Sequence, residues 1–368
     1  MSKYRKPMGA KESQSLFSKT ARVHPKNYRP VSSRGGERLY LISRGGGMTC
    51  YHPLEAYRSR VRDTVNGKRS VIFNPAKAHD HEKIKIPCGQ CRGCRLAKSR
   101  EWAIRCYHEA QMHDKNCFIT LTFSPEALAS RPNPQSVDVR DFQLFMKRLR
   151  KKYGHGIRFF HCGEYGTICK NCQKSERYHD CGKWEPWTGR PHYHACLFGF
   201  DFPDKELWSI KNGFPLYTSK SLETLWPFGF CTIGEVTFES AAYVARYIMK
   251  KYNGPMGDER YYDLNTGQIL SKEYITMSRR DGIGSSWLKK YASDVYPHDN
   301  VIINGKMCKP PKYYDNKLFE LDAFLFDEIK ERRLTTAENN ADNNTPDRLA
   351  VREEILNARL NMLPRTID

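Results

Sequence analysis

The sequence predicts an α+β fold, an antiparallel sheet of four to five strands with helices on one face, accompanied by cysteine segments of zinc-binding type. Three observations predict it. Apolar and β-branched residues alternate with period two in four separate runs, which is the strand signature. Helical stripes fall between those runs, in the order strand, helix, strand, strand, helix, strand, helix. Cysteines recur at two-residue gaps outside these elements, a spacing typical of thiol metal sites.

The elements follow in order. Residues 1–47 carry eleven Lys or Arg against two Glu, with much Gly and Ser and few apolar residues, so little stable structure is expected there. Residues 48–115 form a Cys-rich segment in which Cys94 to His113 has helical periodicity around Trp102, Ile104 and Ala110. Residues 116–255 are the expected core. NCFITLTF (116–123) is a strand. Ser136 or Asp138 caps the helix VRDFQLFMKRLRKKYG, whose Phe142, Phe145 and Leu149 lie on one stripe and whose Gly154 ends it. GIRFFHCGEYG (156–166) and PHYHACLFGF (191–200) are strands, SLETLW (221–226) a short helix, and FCTIGEVTF (230–238) a further strand; Ser240 then caps AAYVARYIMKKY. Residues 256–334 read as loop-rich, with an amphipathic stretch near Leu318–Ile329, and residues 335–368 as a polar linker followed by a terminal helix.

Charge narrows the partner. Lys and Arg outnumber Asp and Glu by 61 to 41, a net charge of +20, which favours a polyanion, nucleic acid before membrane. No apolar run reaches membrane-spanning length and no hydrophobic stretch follows the basic N-terminus. Thirteen cysteines without a secretory signal point to reduced thiols in a cytoplasmic setting.

The chemistry centres on two motifs. His192 and His194 flank Tyr193, so on a strand both imidazoles share one face. Imidazole is a good ligand for divalent ions, and Glu164 could add an oxygen if the two strands pair. The same histidines would also serve as a hydrogen-bonded pair in a half-buried strand. Tyr243 and Tyr247 stand one helical turn apart, with Lys250 on the same side and Lys251 as the other candidate cation. Two phenols at one spot could make two successive phosphodiester transfers. Tyrosines at that spacing also pack into cores.

Cys88, Cys91 and Cys94 supply three ligands for a zinc ion, with Cys50 or Cys106 as the fourth; the alternative is a knuckle of thiols near DNA. A four-cysteine iron–sulfur run ending in proline is missing. Cys169, Cys172, His179 and Cys181, with Cys162 upstream, could close a small zinc loop or form a flexible hairpin. Basic residues crowd two places, Lys147, Arg148, Arg150, Lys151 and Lys152 in one, Arg279, Arg280, Lys289 and Lys290 in the other. Tyr274, Trp287 and Tyr291 interleave with the second group and could stack unpaired bases. NGKRS at 66–70 lacks the glycine that a phosphate-binding loop needs, so a helicase would be borrowed.

FITLTF, CGEYG, GRPHYHACLFG and YVARYIMKK, in this order, resemble the HUH endonucleases that start rolling-circle replication. CGQCRGCRLAKSREWAIRCYHE, SRRDGIGSSWLKKY and PKYYDNKL narrow the resemblance to the replication-initiation proteins of gokushovirus-type Microviridae, over roughly residues 48–320. The resemblance implies an RRM-like nuclease core that nicks and rejoins origin single-stranded DNA through a 5′-phosphotyrosine. It implies Tyr243 and Tyr247 as nucleophiles, and His192 and His194, with Glu164, as ligands of Mg²⁺ or Mn²⁺. It further implies host helicase and polymerase as partners in a bacterial cytoplasm. Residues within 1–47 resemble the small DNA-binding protein of the same phages, and Met48 looks like the start of a separate protein. Two departures stand out, the long Cys-bearing insert between Glu164 and His192, and Asp281 where the family often has Pro. The rival readings are an HUH transposase or relaxase, a zinc-stabilised nucleic-acid-binding protein without catalysis, and a two-histidine, one-carboxylate iron oxygenase, whose usual ligand order is absent.

Overall fold

Strand-forming runs separated by short turns pair locally, and most of this molecule's sheet grows that way. The structure is a computed structural model that describes residues 50–62, 69–175, 180–183, 185–211, 213–250, 261–263 and 266–362. The basic extension 1–47 lies outside the described residues.

The first unit is a three-stranded antiparallel sheet of β1 (Leu54–Arg62), β2 (Arg69–Ile72) and β3 (Ile84–Ile86) in the order β2-β1-β3. Helix α1 (Arg92–Ala110) follows, with Cys91 as its N-cap. The main body comprises β4 (Asn116–Leu121), α2 (Pro125–Ala129), α3 (Val139–Tyr153), β5 (Arg158–Cys169), β6 (Pro186–Phe198), β7 (Lys205–Lys211), β8 (Phe214–Ser219), α4 (Lys220–Leu225), β9 (Cys231–Gly234), α5 (Phe238–Lys250) and β10 (Tyr274–Met277). The chain continues through α6 (Ser285–Val295), the hairpin of β11 (Val301–Ile303) and β12 (Lys306–Cys308), α7 (Lys312–Leu321), α8 (Ala323–Glu338) and α9 (Pro346–Asn361).

The large sheet has seven strands in the order β10-β5-β6-β4-β9-β8-β7, antiparallel at each junction. The predicted class and antiparallel sheet therefore hold, with more strands than the four to five expected. The expectation of helices on one face is corrected, because they cover both. On β4, Cys117, Ile119 and Leu121 face one way and meet Phe142, Phe145 and Leu149 of α3 and Leu222 of α4. On β5 and β6, Phe160, Cys162, Cys196 and Phe198 face the other way and meet Ala103 and Ile104 of α1 and Ala241 and Val244 of α5. Alternation puts successive residues on opposite faces, and these strands are apolar at both parities. Such strands require cover on both sides.

Local signals explain the helix ends. The Asp138 side chain accepts from the Arg140 N–H at 2.8 Å and opens α3. Gly154, with φ of 94°, closes it where a side chain would be strained. At α5 the Ser240 N–H donates to Thr237 Oγ1 at 3.1 Å while the Thr237 N–H donates to Ser240 Oγ at 2.8 Å. That is a reciprocal box with Thr237 outside and Ser240 within the first turn, so Ser240 is not the cap itself.

Three further expectations change. Residues 256–334 are not mainly loop: Tyr274–Met277 joins the sheet edge and Ser285–Val295, Lys312–Leu321 and Ala323–Glu338 are helices. Part of the polar linker is ordered, since α8 runs to Glu338 and a short 3-10 turn covers Ala341–Asn344. The Cys-bearing insert is partly a ladder, with Thr167, Ile168 and Cys169 paired to Thr188, Trp187 and Pro186. Among the described residues no helix is long and apolar enough to cross a membrane.

Candidate active site

The register of β5 and β6 builds the site. Glu164 lies directly opposite His192, and Cys162 opposite His194, so Glu164, His192 and His194 project from the same face, toward α1 and α5. Their ligand atoms lie within 4.8 Å of one another. Glu164 Oε1 is 2.9 Å from His192 Nε2 and 2.8 Å from His194 Nε2.

The other ring nitrogens are held from behind. His194 Nδ1 is 2.9 Å from Thr120 Oγ1 on β4, the residue opposite it in the ladder. His192 Nδ1 is 3.2 Å from the Arg190 carbonyl, which accepts. An imidazole that donates from Nδ1 presents the lone pair of Nε2 forward, as metal-ligating histidines do. Phe118 stacks on the His194 ring at 5.6 Å and 14° and fixes its plane.

Electrostatics favour a cation at this spot. The Glu164 side chain is 1% exposed. Burial alone would raise its pKa strongly, but the adjacent His192 and His194 bring it down to about 2. A buried carboxylate is costly unless a positive group compensates it, and a divalent ion among these three atoms would do so. The donor set, two imidazoles and one carboxylate, leaves coordination positions open. The residues present therefore fit a divalent ion.

Helix α5 brings Tyr243 to the cluster. Its ring stands edge-on to the His194 ring at 5.1 Å and 89°, and edge-on to Phe118 at 6.3 Å. Tyr247 and Lys250 belong to the same helix, but their side chains lie outside the described residues, as does Lys251.

The remaining predicted site residues divide clearly. Cys50, Cys88, Cys91 and Cys94 come together with all four sulfurs within 4.8 Å. Cys106, the other candidate fourth ligand, is instead buried in the core between α1 and the sheet. Cys169, Cys172 and Cys181 also converge within 4.8 Å, whereas Cys162 points into the core and His179 lies outside the described residues. Each of the three groups could hold a metal ion.

The basic groups sit on different faces. Lys147, Arg148, Arg150, Lys151 and Lys152 belong to α3, on the face away from the histidines. There Arg148 donates to the Leu225 carbonyl at 2.8 Å and Arg150 to the Ile157 carbonyl at 2.8 Å. Arg279, Arg280, Lys289 and Lys290 are exposed near α6, beside α1, with Lys289 3.3 Å from Asp281. Sequence reasoning missed Thr120 and Phe118, which hold His194. The alternation of FITLTF, which places Phe118 and Thr120 on one face, was the available signal.

Fold and site thus define an α+β protein whose central sheet carries a two-histidine, one-carboxylate cluster beside a tyrosine helix. Residues 167–252 match the family model described as Replication-associated protein ORF2. The chain is 32% identical over 303 residues to the Replication-associated protein ORF2 of Spiroplasma virus 4, covering 78% of this chain and 86% of that one. It is 31% identical over 306 residues to the Replication-associated protein VP4 of Bdellovibrio phage phiMH2K, covering 80% and 87%. A third relative, Replication-associated protein ORF4 of Chlamydia phage 1, is 26% identical over 267 residues, covering 68% and 59%. No solved structure matches. The chain belongs to the family of phage replication-associated proteins of Microviridae type.

Proposed function

We propose that this protein is a site-specific single-strand DNA endonuclease and ligase that initiates rolling-circle replication of a phage genome. The observation that carries the reading is the convergence of Glu164, His192 and His194 beside the Tyr243 ring, 5.1 Å from His194. Sequence similarity to replication-associated phage proteins supports it independently.

Mg²⁺ or Mn²⁺ at the three ligands would supply Lewis-acid polarisation of the scissile phosphate. The chain's own groups do the rest. Thr120 and the Arg190 carbonyl hold both imidazoles in the tautomer that faces forward. His192, with 21% of its side chain exposed, marks the side from which a phosphate can approach. The phenol of Tyr243 or Tyr247 attacks phosphorus, a tyrosyl O–P bond forms, and the bond from phosphorus to the 3′ oxygen breaks. The phenolic proton is lost and the 3′ oxygen leaves as a free hydroxyl, ready to prime synthesis, while the 5′ end stays on the protein. Lys250 would steady the phosphate or phenolate. The second tyrosine then cuts the regenerated origin, and the released 3′ hydroxyl displaces the first tyrosine to close the circle. This chemistry stores the phosphodiester in an aryl ester, so rejoining needs no nucleotide. Host helicase and polymerase would unwind and copy the template in the bacterial cytoplasm, and the exposed Arg279, Arg280, Lys289 and Lys290 would follow the DNA backbone.

The test is incubation of the full chain with origin single-stranded DNA and Mg²⁺ or Mn²⁺, read as nicks and as protein-linked 5′ ends. Wild type should yield both, and the Tyr243→Phe, Tyr247→Phe double variant neither. Nicking retained by the double variant would sink the mechanism. DNA binding without cleavage by the wild type would instead favour a non-catalytic binding protein.

A further inference from the structure

The cysteine cluster at the start of α1 is separate from the histidine site, and nucleic-acid chemistry makes no use of it. Its four sulfurs come from three places in the chain: Cys50 before β1, Cys88 and Cys91 after β3, and Cys94 in the first turn of α1. The segments that bear them fold back with their backbone N–H groups aimed at sulfur. The Cys88 N–H donates to Cys50 Sγ at 3.2 Å, the Cys91 N–H to Cys88 Sγ at 3.3 Å and the Gln90 N–H to Cys88 Sγ at 3.4 Å. The Tyr51 and Cys94 N–H groups donate to Cys91 Sγ at 3.4 and 3.5 Å. A neutral thiol is a weak acceptor, and so many donors suit thiolates.

Sulfur spacing selects among the uses of four cysteines. Cys91 Sγ and Cys50 Sγ are 4.0 Å apart, far beyond the ~2.05 Å of a disulfide. A tetrahedral ion with metal–sulfur bonds of about 2.3 Å sets its ligands roughly 3.8 Å apart, close to that value. An iron–sulfur cluster would interpose several atoms between the thiolates and spread them farther. Four thiolates close the coordination shell and leave no position for a reactant.

The neighbours show what such an ion would join. His52, two residues after Cys50, pairs with Glu353 of α9 at 2.8 Å, and Arg92, next to Cys91, donates to Asn357 of α9 at 2.9 Å. Farther along α1, Ser99 Oγ donates to the Ala242 carbonyl of α5 at 3.4 Å, and Trp102 stacks on Phe160 of β5 at 5.0 Å. Ala242 precedes Tyr243, and β5 carries Glu164.

We infer that Cys50, Cys88, Cys91 and Cys94 bind one Zn²⁺ as a closed tetrathiolate, and that this ion staples the N-terminal sheet and α9 to the start of α1, the helix on which α5 rests. The first part does not depend on DNA cleavage and is tested without DNA. Full-length protein purified without added metal is analysed for zinc and iron, beside a Cys88→Ser, Cys91→Ser variant and a Cys106→Ser control. Wild type and control should carry one zinc per chain more than the double variant. Cobalt added to metal-stripped wild type should give the thiolate charge-transfer and tetrahedral bands of a four-sulfur site, lost in the double variant. Equal zinc in all three proteins, iron in place of zinc, or absence of those cobalt bands overturns the assignment. If the double variant does not fold, alkylation of native wild type decides, with four thiols protected until zinc is chelated; no gain in labelling on chelation overturns the proposal. For the staple, hydrogen exchange across residues 92–105 and 238–245 should speed up on zinc removal, and unchanged exchange there refutes it.

Discussion

The two clusters of potential ligands are built on opposite plans. Glu164, His192 and His194 stand on adjacent strands in the middle of a seven-stranded sheet, their spacing set by ladder register. Cys50, Cys88, Cys91 and Cys94 stand in the turns around a small sheet and at a helix start, their spacing set by N–H···S contacts. The first group offers three ligands and faces a tyrosine; the second offers four and faces only its own backbone. Ligand number and scaffold together sort reactive centres from staples. Three ligands on a rigid sheet leave room for a reactant, and four on flexible turns make the turns rigid.

Several measurements put that contrast at risk. The largest effect is expected from His194→Ala, which should lower nicking by at least the ~10²–10³-fold seen on losing one preorganised electrostatic group while leaving the fold intact. Cys91→Ser should do the reverse, costing thermal stability first and leaving measurable nicking in the folded fraction. Equal losses of activity in both at full folding would erase the distinction. Next comes Thr120→Val, which removes the partner of His194 Nδ1. It should weaken Mn²⁺ binding roughly 10–100-fold in a calorimetric titration, and an unchanged affinity would show that the imidazole needs no help from β4.

A smaller effect should come from Tyr193→Phe. The Tyr193 hydroxyl accepts from the Asp138 N–H at 2.9 Å and donates to Asp141 at 2.6 Å, tying α3 to the strand of the histidines. Its loss leaves buried groups unpaired and should cost about 1–3 kcal/mol in urea unfolding with metal affinity nearly unchanged. A matching fall in metal affinity would mean that the far face does shape the site. The smallest effect per group concerns histidines that hold no metal. Burial pushes the pKa of His108 down to about 3, and that of His161 well below its usual value. Both are depressed when folded, so the stability they hold is complete above pH ~6.5, where the unfolded chain is also neutral. It is lost as pH falls below that, by up to ~1.4 kcal/mol per unit for each group. Stability flat between pH ~6.5 and ~5 would refute the neutral burial.

Much of this was legible because it is local. Alternation alone put His192 and His194 on one face, and the turn-separated strands predicted the pairing that brings Glu164 opposite His192. What crosses the chain was not legible. Residues 50 and 88 are joined by geometry that spacing cannot reveal, so Cys50 and Cys106 were equal candidates. The stripe on α3 showed that the helix has a buried side, but a stripe carries no information on which face of a sheet it covers. The edge strands β7, β8 and β10 were missed because Lys, Pro and Glu interrupt them; edges face water and tolerate such residues. The Tyr243 ring against His194 was ambiguous for another reason, since an aromatic pair one turn apart reads the same whether it packs or reacts.

Strand β6 is hydrogen-bonded to β5 on one edge and β4 on the other, so its amides can exchange with solvent only when the large sheet opens as a whole. The histidines therefore ride on the slowest-breathing part of the chain. Partial unfolding at the periphery would leave their geometry untouched, and the site should be lost in a single step with the fold.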